Sequence, residues 1–172
     1  MKSRITAMSV RTPSIAAQIH LKLTQAIDLQ TKNNLAAAES LYEEILKLDP
    51  RNPDAWHLLG VLSLRSGDLD KARTRMSKAV KLKPNDASYL SNIGIVLKDR
   101  GEFAASLESL DRALRLKPDY PKARSTRGLT LAQLERHEEA IAEFDRAIEL
   151  RPSYAAAHSN RGISLQHLGR PE

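Results

Sequence analysis

The chain has 172 residues, enough for one ordinary domain with a sizeable core, and aromatics make up only 4% of it. It has no cysteine, which excludes disulfides, thiolate metal sites and cysteine nucleophiles. The formal net charge is +6, but residues 1–34 carry five basic side chains against Asp28 alone, so the remainder is nearly balanced and reads as a solvated surface rather than a phosphate-binding face.

Residues 1–14 (MKSRITAMSVRTPS) are acid-free. They read as a disordered basic leader, with an organellar transit segment as the alternative. No apolar run approaches the roughly 18 residues of a membrane span, and the start lacks the apolar stretch of a secretory signal. A cytoplasmic setting with no membrane partner is expected. From about residue 15 onward, apolar positions recur at three- and four-residue steps, as in Ala72, Met76, Ala79, Val80 and again in Leu107, Leu110, Ala113, Leu114. That periodicity predicts helices over about 15–30 and 35–48, 53–66 and 69–82, 87–100 and 103–116, 121–134 and 137–150, and an unpaired one over about 155–168. No stretch alternates like a half-buried strand, so the chain reads as all-α.

The helices repeat. Gly60, Gly94, Gly128 and Gly162 are thirty-four residues apart, and Gly67, Gly101 and Gly169 lie on a second ladder of the same period. These are all the glycines of the chain. Pro50, Pro84, Pro118 and Pro152 close LKLDP, LKLKP, LRLKP and IELRP on a third. Such self-similarity marks a solenoid of stacked helix pairs. The first glycine ladder falls mid-helix, where a missing side chain lets a paired helix come close, and Ala38, Ala72, Ser106 and Ala140 are the small residues expected to face it. The second falls where a left-handed C-cap is wanted. Asn33 suits that place in the first repeat; Glu135 fits it poorly. Repeats of about 19–52, 53–86, 87–120 and 121–154 with a half repeat at 155–172 make one domain over 15–172.

This pattern resembles the tetratricopeptide repeat, on Trp56, Leu59, Gly60, Ala72, Ala79 and Pro84 in the second repeat and Gly128, Leu131, Ala140, Phe144, Ala147 and Pro152 in the fourth. It departs at Ala26, where the first-helix glycine would stand, and at Arg124 and Arg127, where bulky apolar residues are usual. The resemblance implies a right-handed superhelix whose first helices line a concave groove that binds a peptide or partner helix, without catalysis. The groove positions it implies include His57, Val61, Arg65, Ser91, Asn92, Ile95, Lys98, Lys122, Ser125, Thr126, Leu129, Ser159, Asn160 and Ile163. Among them Ser91-Asn92, Ser125-Thr126 and Ser159-Asn160 make a polar ladder, and Val61, Ile95, Leu129 and Ile163 an apolar stripe beside it. An Asn amide offers a donor and an acceptor to an extended peptide backbone, whereas a solvated helix face is the plainer account of the same residues. The clamp that chaperone-binding members close on a C-terminal carboxylate matches only at Asn92 and Lys122, so that clamp is not expected.

Nothing in the sequence points to chemistry. No glycine lies outside the ladders to cradle a phosphate. His20, His57, His137, His158 and His167 lack metal-ligand spacing, so neither metal nor cofactor is expected. Glu43-Glu44 and Glu138-Glu139 sit amid Lys and Arg as ion-pair faces. The sequence therefore reads as a non-enzymatic interaction scaffold for a protein or peptide ligand, with no nucleic-acid partner. LYEEILKLDPRNPDAWHLLGVL also resembles the N-terminal arrays of bacterial O-linked N-acetylglucosamine-transferase-like proteins, which makes the substrate-recognition arm of a larger transferase the alternative. The last helix carries Ile163, Leu165 and Leu168, and LGRPE after it is the turn that would start a second helix, as RGEFAAS does at 100–106. A longer array cut at residue 172, and weak homodimerisation through the exposed last helix, are expected from that.

Overall fold

The structure, a computed structural model, describes residues 13–170. The leader expected over 1–14 lies outside the described residues except for Pro13 and Ser14, and Ser14 already belongs to the first helix as its N-cap. The described residues form helices joined by turns, with no strand among them. They fall into two compact units that divide after Pro50.

The first unit holds α1 (Ile15–Thr31) and α2 (Leu35–Leu48). Ser14 Oγ accepts from Ala17 N–H at 3.2 Å and starts α1, and Asn34 Oδ1 accepts from Ala37 N–H at 3.4 Å and starts α2. Asn33 has φ 60, the left-handed conformation expected of it. Ala26, Ala38, Tyr42 and Ile45 are fully buried. The Tyr42 hydroxyl, which cannot be left unsatisfied there, donates to Gln30 Oε1 at 3.0 Å.

The second unit stacks three helix pairs and a single helix: α3 (Pro53–Arg65) with α4 (Leu69–Leu82), α5 (Ala87–Asp99) with α6 (Phe103–Leu116), α7 (Pro121–Gln133) with α8 (His137–Leu150), then α9 (Ala155–His167). This is a helical-repeat solenoid. Asn52, Asp68 and Asp86 cap α3, α4 and α5 through their side chains, and the later helices lack such a cap. Each first helix ends on one device. Gly67, Gly101, Glu135 and Gly169 take positive φ, and the next N–H reaches back to Ser63, Leu97, Leu131 or Leu165 O at 2.8–3.0 Å.

The mid-helix glycines do admit a close approach, but the residue set into them is large. A Cβ on Gly60 would lie 2.5 Å from Met76 Cγ, one on Gly94 2.8 Å from Leu110 Cγ, and one on Gly128 2.6 Å from Phe144 Cε1. The small residues predicted to face the glycines lie one turn earlier on the second helix, buried as well, and Ser106 Oγ donates to Gly94 O at 2.8 Å. The two arginines that depart from the repeat pattern form ion pairs across helices. Arg127 reaches Asp111 Oδ1 at 2.7 Å and Glu143 Oε1 at 2.9 Å, and Arg124 reaches the same Glu143 at 3.3 Å.

Candidate peptide-binding groove

Because the period is thirty-four, residues at matching turns of α3, α5 and α7 stand side by side, and three of the expected groove residues join into one chain of bonds. Lys122 Nζ donates to Asn92 Oδ1 at 2.9 Å, and Asn92 Nδ2 lies 3.1 Å from His57 Nε2. An ammonium can only donate, so it fixes which end of the Asn92 amide faces it. The amide then offers Nδ2–H to His57, whose Nε2 must accept and whose proton must sit on Nδ1. His57 Nδ1 is buried with no partner.

The imidazole is 8% exposed and stacked on Tyr89, with ring centroids 4.2 Å apart and planes at 16°. Burial pushes its pKa down to about 4, against the opposite pull of Asp86 and Asp54. The Tyr89 hydroxyl donates to Asp54, and burial together with that bond raises its pKa. Burial would also raise Asp86, but bonds from Lys83, from the Ser88 hydroxyl and from the Tyr89 N–H outweigh it and hold its carboxyl down to about 2. Desolvation lowers Lys122, which keeps donors for a ligand beyond the one given to Asn92.

Two of the three serines of the polar ladder are not at the surface. Ser91 and Ser125 are buried, as is Thr126, whose hydroxyl donates to Lys122 O at 2.9 Å within its own helix. Ser159 is exposed and Asn160 half-buried. In the apolar stripe, Val61 and Leu129 pack partly buried against two separate core clusters, Ile95 is half-buried, and Ile163 is 50% exposed. Arg65 is exposed, and Lys98 pairs with its neighbour Asp99. Lys98 and Leu129 share a cleft of about 360 Å³. Leu129, Asn160 and Ile163 line a second of about 250 Å³, closed on one side by His137 and His167. Those two imidazoles stack at 4.5 Å and 7°.

The sequence reading missed Tyr89 and this histidine stack. Tyr89 was within reach: it follows Asp54 by thirty-five residues, the same offset that joins His57 to Asn92. Among the described residues no group of three His, Cys, Asp or Glu is placed to hold a metal ion, and no helix is long and apolar enough to cross a membrane.

Comparison with known proteins agrees with the fold. MamA from Desulfovibrio magneticus RS-1 has a similar fold, with a TM-score of 0.81 at 20% identity over 91% of this chain and 89% of that one. YrrB, described as having an unusual peptide-binding site, has a TM-score of 0.73 at 23% identity over 93% and 86%. At these identities the likeness concerns the fold alone. A mutant O-GlcNAc transferase of Thermobaculum terrenum is 34% identical with a TM-score of 0.70, over 78% of this chain but 27% of the transferase chain. The array thus resembles the repeats of that enzyme and spans about a quarter of its length. No curated protein matches the sequence significantly. Two family models, each described as tetratricopeptide repeat, match, one over residues 29–92 and the other over 92–155. With the glycine ladders, the left-handed turns and the stacked helix pairs, these adjoining matches mean that the chain belongs to the tetratricopeptide repeat family.

Proposed function

We propose that the chain is a non-catalytic scaffold, working in the cytoplasm, that holds a peptide or an extended partner segment along the first-helix faces of α3, α5, α7 and α9. The observation that carries this reading is the His57–Asn92–Lys122 chain. It spends three side chains from three successive repeats on orienting one ammonium at the surface. An oriented cation with free donors suits a backbone carbonyl or an acidic side chain. The cleft between Leu129, Asn160 and Ile163 then receives an apolar side chain of the same ligand. A family whose members bind peptides, YrrB among them by its description, supports the reading.

The test is a peptide-library selection on the 1–172 chain, followed by titration against Lys122→Met and Asn160→Ala. Loss of a hydrogen bond to a charged group predicts about ten- to a hundredfold weaker binding for Lys122→Met, with little change in melting temperature. Unchanged affinity in both variants overturns the proposal. Asn92→Ala is a poor choice, since it would also strip His57 Nε2 of its partner. Retention on nucleic acid with a steep salt dependence would point to a different ligand class.

A second reading, that the array is the substrate-recognition arm of a larger transferase, rests on the 34% identity to the O-GlcNAc transferase repeats. A transferase domain encoded in frame with this array would carry it.

A further inference from the structure

A period of thirty-four lets one repeat be read against the next, and two equivalent places in the second unit differ only in charge. A cleft of about 230 Å³ is lined by Pro84 and Asn85, from the turn between α4 and α5, and by Arg112, Arg115 and Leu116 at the end of α6. Thirty-four residues on stand Pro118, Asp119, Arg146, Glu149 and Leu150. Proline, arginine and leucine are the same in both. Asn85 stands where the later place has Asp119, and Arg115 where it has Glu149.

At the later place the arginine is satisfied from within. Arg146 Nη1 donates to Glu149 Oε2 at 2.7 Å, and its Nη2 lies 3.8 Å from Asp119 Oδ1. At the earlier place neither acid is there. Arg112 Nη2 donates to the neutral Pro84 carbonyl at 3.2 Å, and among the described residues no carboxylate pairs with Arg112 or Arg115. Lys117, two residues on, lies over the Tyr120 ring at 4.9 Å instead of on an acid. Like charges three residues apart on one helix repel, so Arg112 and Arg115 cost stability where Arg146 and Glu149 gain it. The dipole of α6 favours a cation at Arg115, in its last turn, but says nothing of Asn85, which lies outside that helix. The same scaffold is thus filled with its own carboxylates in one repeat and left cationic in the repeat before.

We propose that this cleft binds an acidic segment of a partner protein, one that brings two carboxylates to Arg112 and Arg115. The later repeat is the template for the occupant: two carboxylates from separate positions of a chain, rather than one compact tetrahedral anion. A guanidinium takes a carboxylate through parallel N–H donors, and those of Arg115 are uncommitted. The Asn85 amide adds donors without the charge that Asp119 would set against an incoming acid. Leu116, 48% exposed beside them, gives an apolar residue next to the acids a surface to lie on. None of these residues is a groove position, so the site does not rest on what the groove binds.

The probe is a fluorescein-labelled Gly-Glu-Glu-Leu-Glu-Gly peptide, titrated with the 1–172 chain and followed by anisotropy at about 50 mM salt, where surface charges are only partly screened. Saturable binding is expected, at least about tenfold weaker when glutamine replaces each glutamate of the peptide. The double variant Asn85→Asp with Arg115→Glu copies the arrangement at the end of α8. It should weaken binding as much while its melting temperature stays level or rises. Lys122→Met, which alters the groove, should leave the affinity for this peptide unchanged. The proposal is overturned by no saturable binding, by equal binding to the double variant, or by loss of binding in Lys122→Met, which would put the peptide in the groove. A single-stranded oligonucleotide that displaces the peptide at lower concentration than the unlabelled peptide does would make phosphate the ligand, and overturns it as well.

Discussion

His57 is held neutral by its surroundings, and this makes the fold sensitive to acid. In the unfolded chain the imidazole titrates near its ordinary pKa of about 6.5; folded, it titrates near 4 because burial disfavours the charged ring. The unfolded state therefore binds the proton first, and stability falls as pH drops from about 6.5 towards 4, by up to about 3 kcal/mol. His57→Phe retains the stack on Tyr89 and removes the proton, so its stability should stay flat across that window in urea unfolding at pH 7, 5 and 4. A wild-type chain equally stable at all three would show that burial does not hold the ring neutral. Asp86, held down to about 2, loses its contribution only as pH falls further towards that value, so the two effects separate. The other residue-scale prediction concerns Glu135, the non-glycine in the left-handed turn before α8, at φ 58. Glu135→Gly should stabilise by a few tenths up to about 1 kcal/mol, read as a higher melting temperature; a lower one would mean that Glu135 makes a compensating contact. This strained turn was readable in advance as a gap in a glycine ladder. The burial of Ser91 was not. It precedes Asn92 by one residue, which is about 100° around a helix, so the two cannot share a face, and pairing them as rungs of one ladder ignored that rotation.

Helix by helix, the same glycine means different things. At Gly128 an added methyl would lie within 3 Å of three atoms of the Phe144 ring, and the ring is itself fully buried and has nowhere to retreat. Gly128→Ala should therefore cost about 1–3 kcal/mol, as overpacked cores do. At Gly162 nothing is in the way, and the helix propensity of alanine should make Gly162→Ala stabilising by about 0.5–1 kcal/mol. Thermal melts of the two variants should move in opposite directions. Equal losses would show that Gly162 is covered after all. The helices themselves were legible because their punctuation is regular: the described boundaries fall within a residue of those the periodicity predicts. Knob identity was not legible. Glycines and alanines at a common period announce a close crossing, but whether the side chain over the glycine is the small residue or the large one a turn later depends on the rotation of the second helix. No pattern of residue types within one helix fixes that rotation.

Taken whole, the second unit is held by neighbours alone. One core cluster gathers Ala72, Met76, Ile93, Val96 and Leu97 from α4 and α5, and another gathers Leu131, Ala140, Phe144, Ala147 and Ala157 from α7, α8 and α9. They share no residue. The period of thirty-four made this architecture readable from the chain, since each repeat can bury its apolar face only against the next. A site assembled across repeats is harder to read, because it depends on which residues of adjacent helices come level: the sequence picked out His57, Asn92 and Lys122 as positions, not as a bonded row. The separation of the clusters has an energetic consequence. Val96→Ala and Phe144→Leu should each cost about 1–3 kcal/mol, and together their costs should add within about 0.5 kcal/mol, as independent sites do. Leu131→Ala with Phe144→Leu, inside one cluster, should depart from additivity by more than that, since the cavity left by one changes what the other can fill. Double-mutant cycles from urea unfolding measure both terms. Coupling between Val96 and Phe144 as large as that between Leu131 and Phe144 would mean that strain passes through the intervening repeat, and the nearest-neighbour account of this unit would then fail.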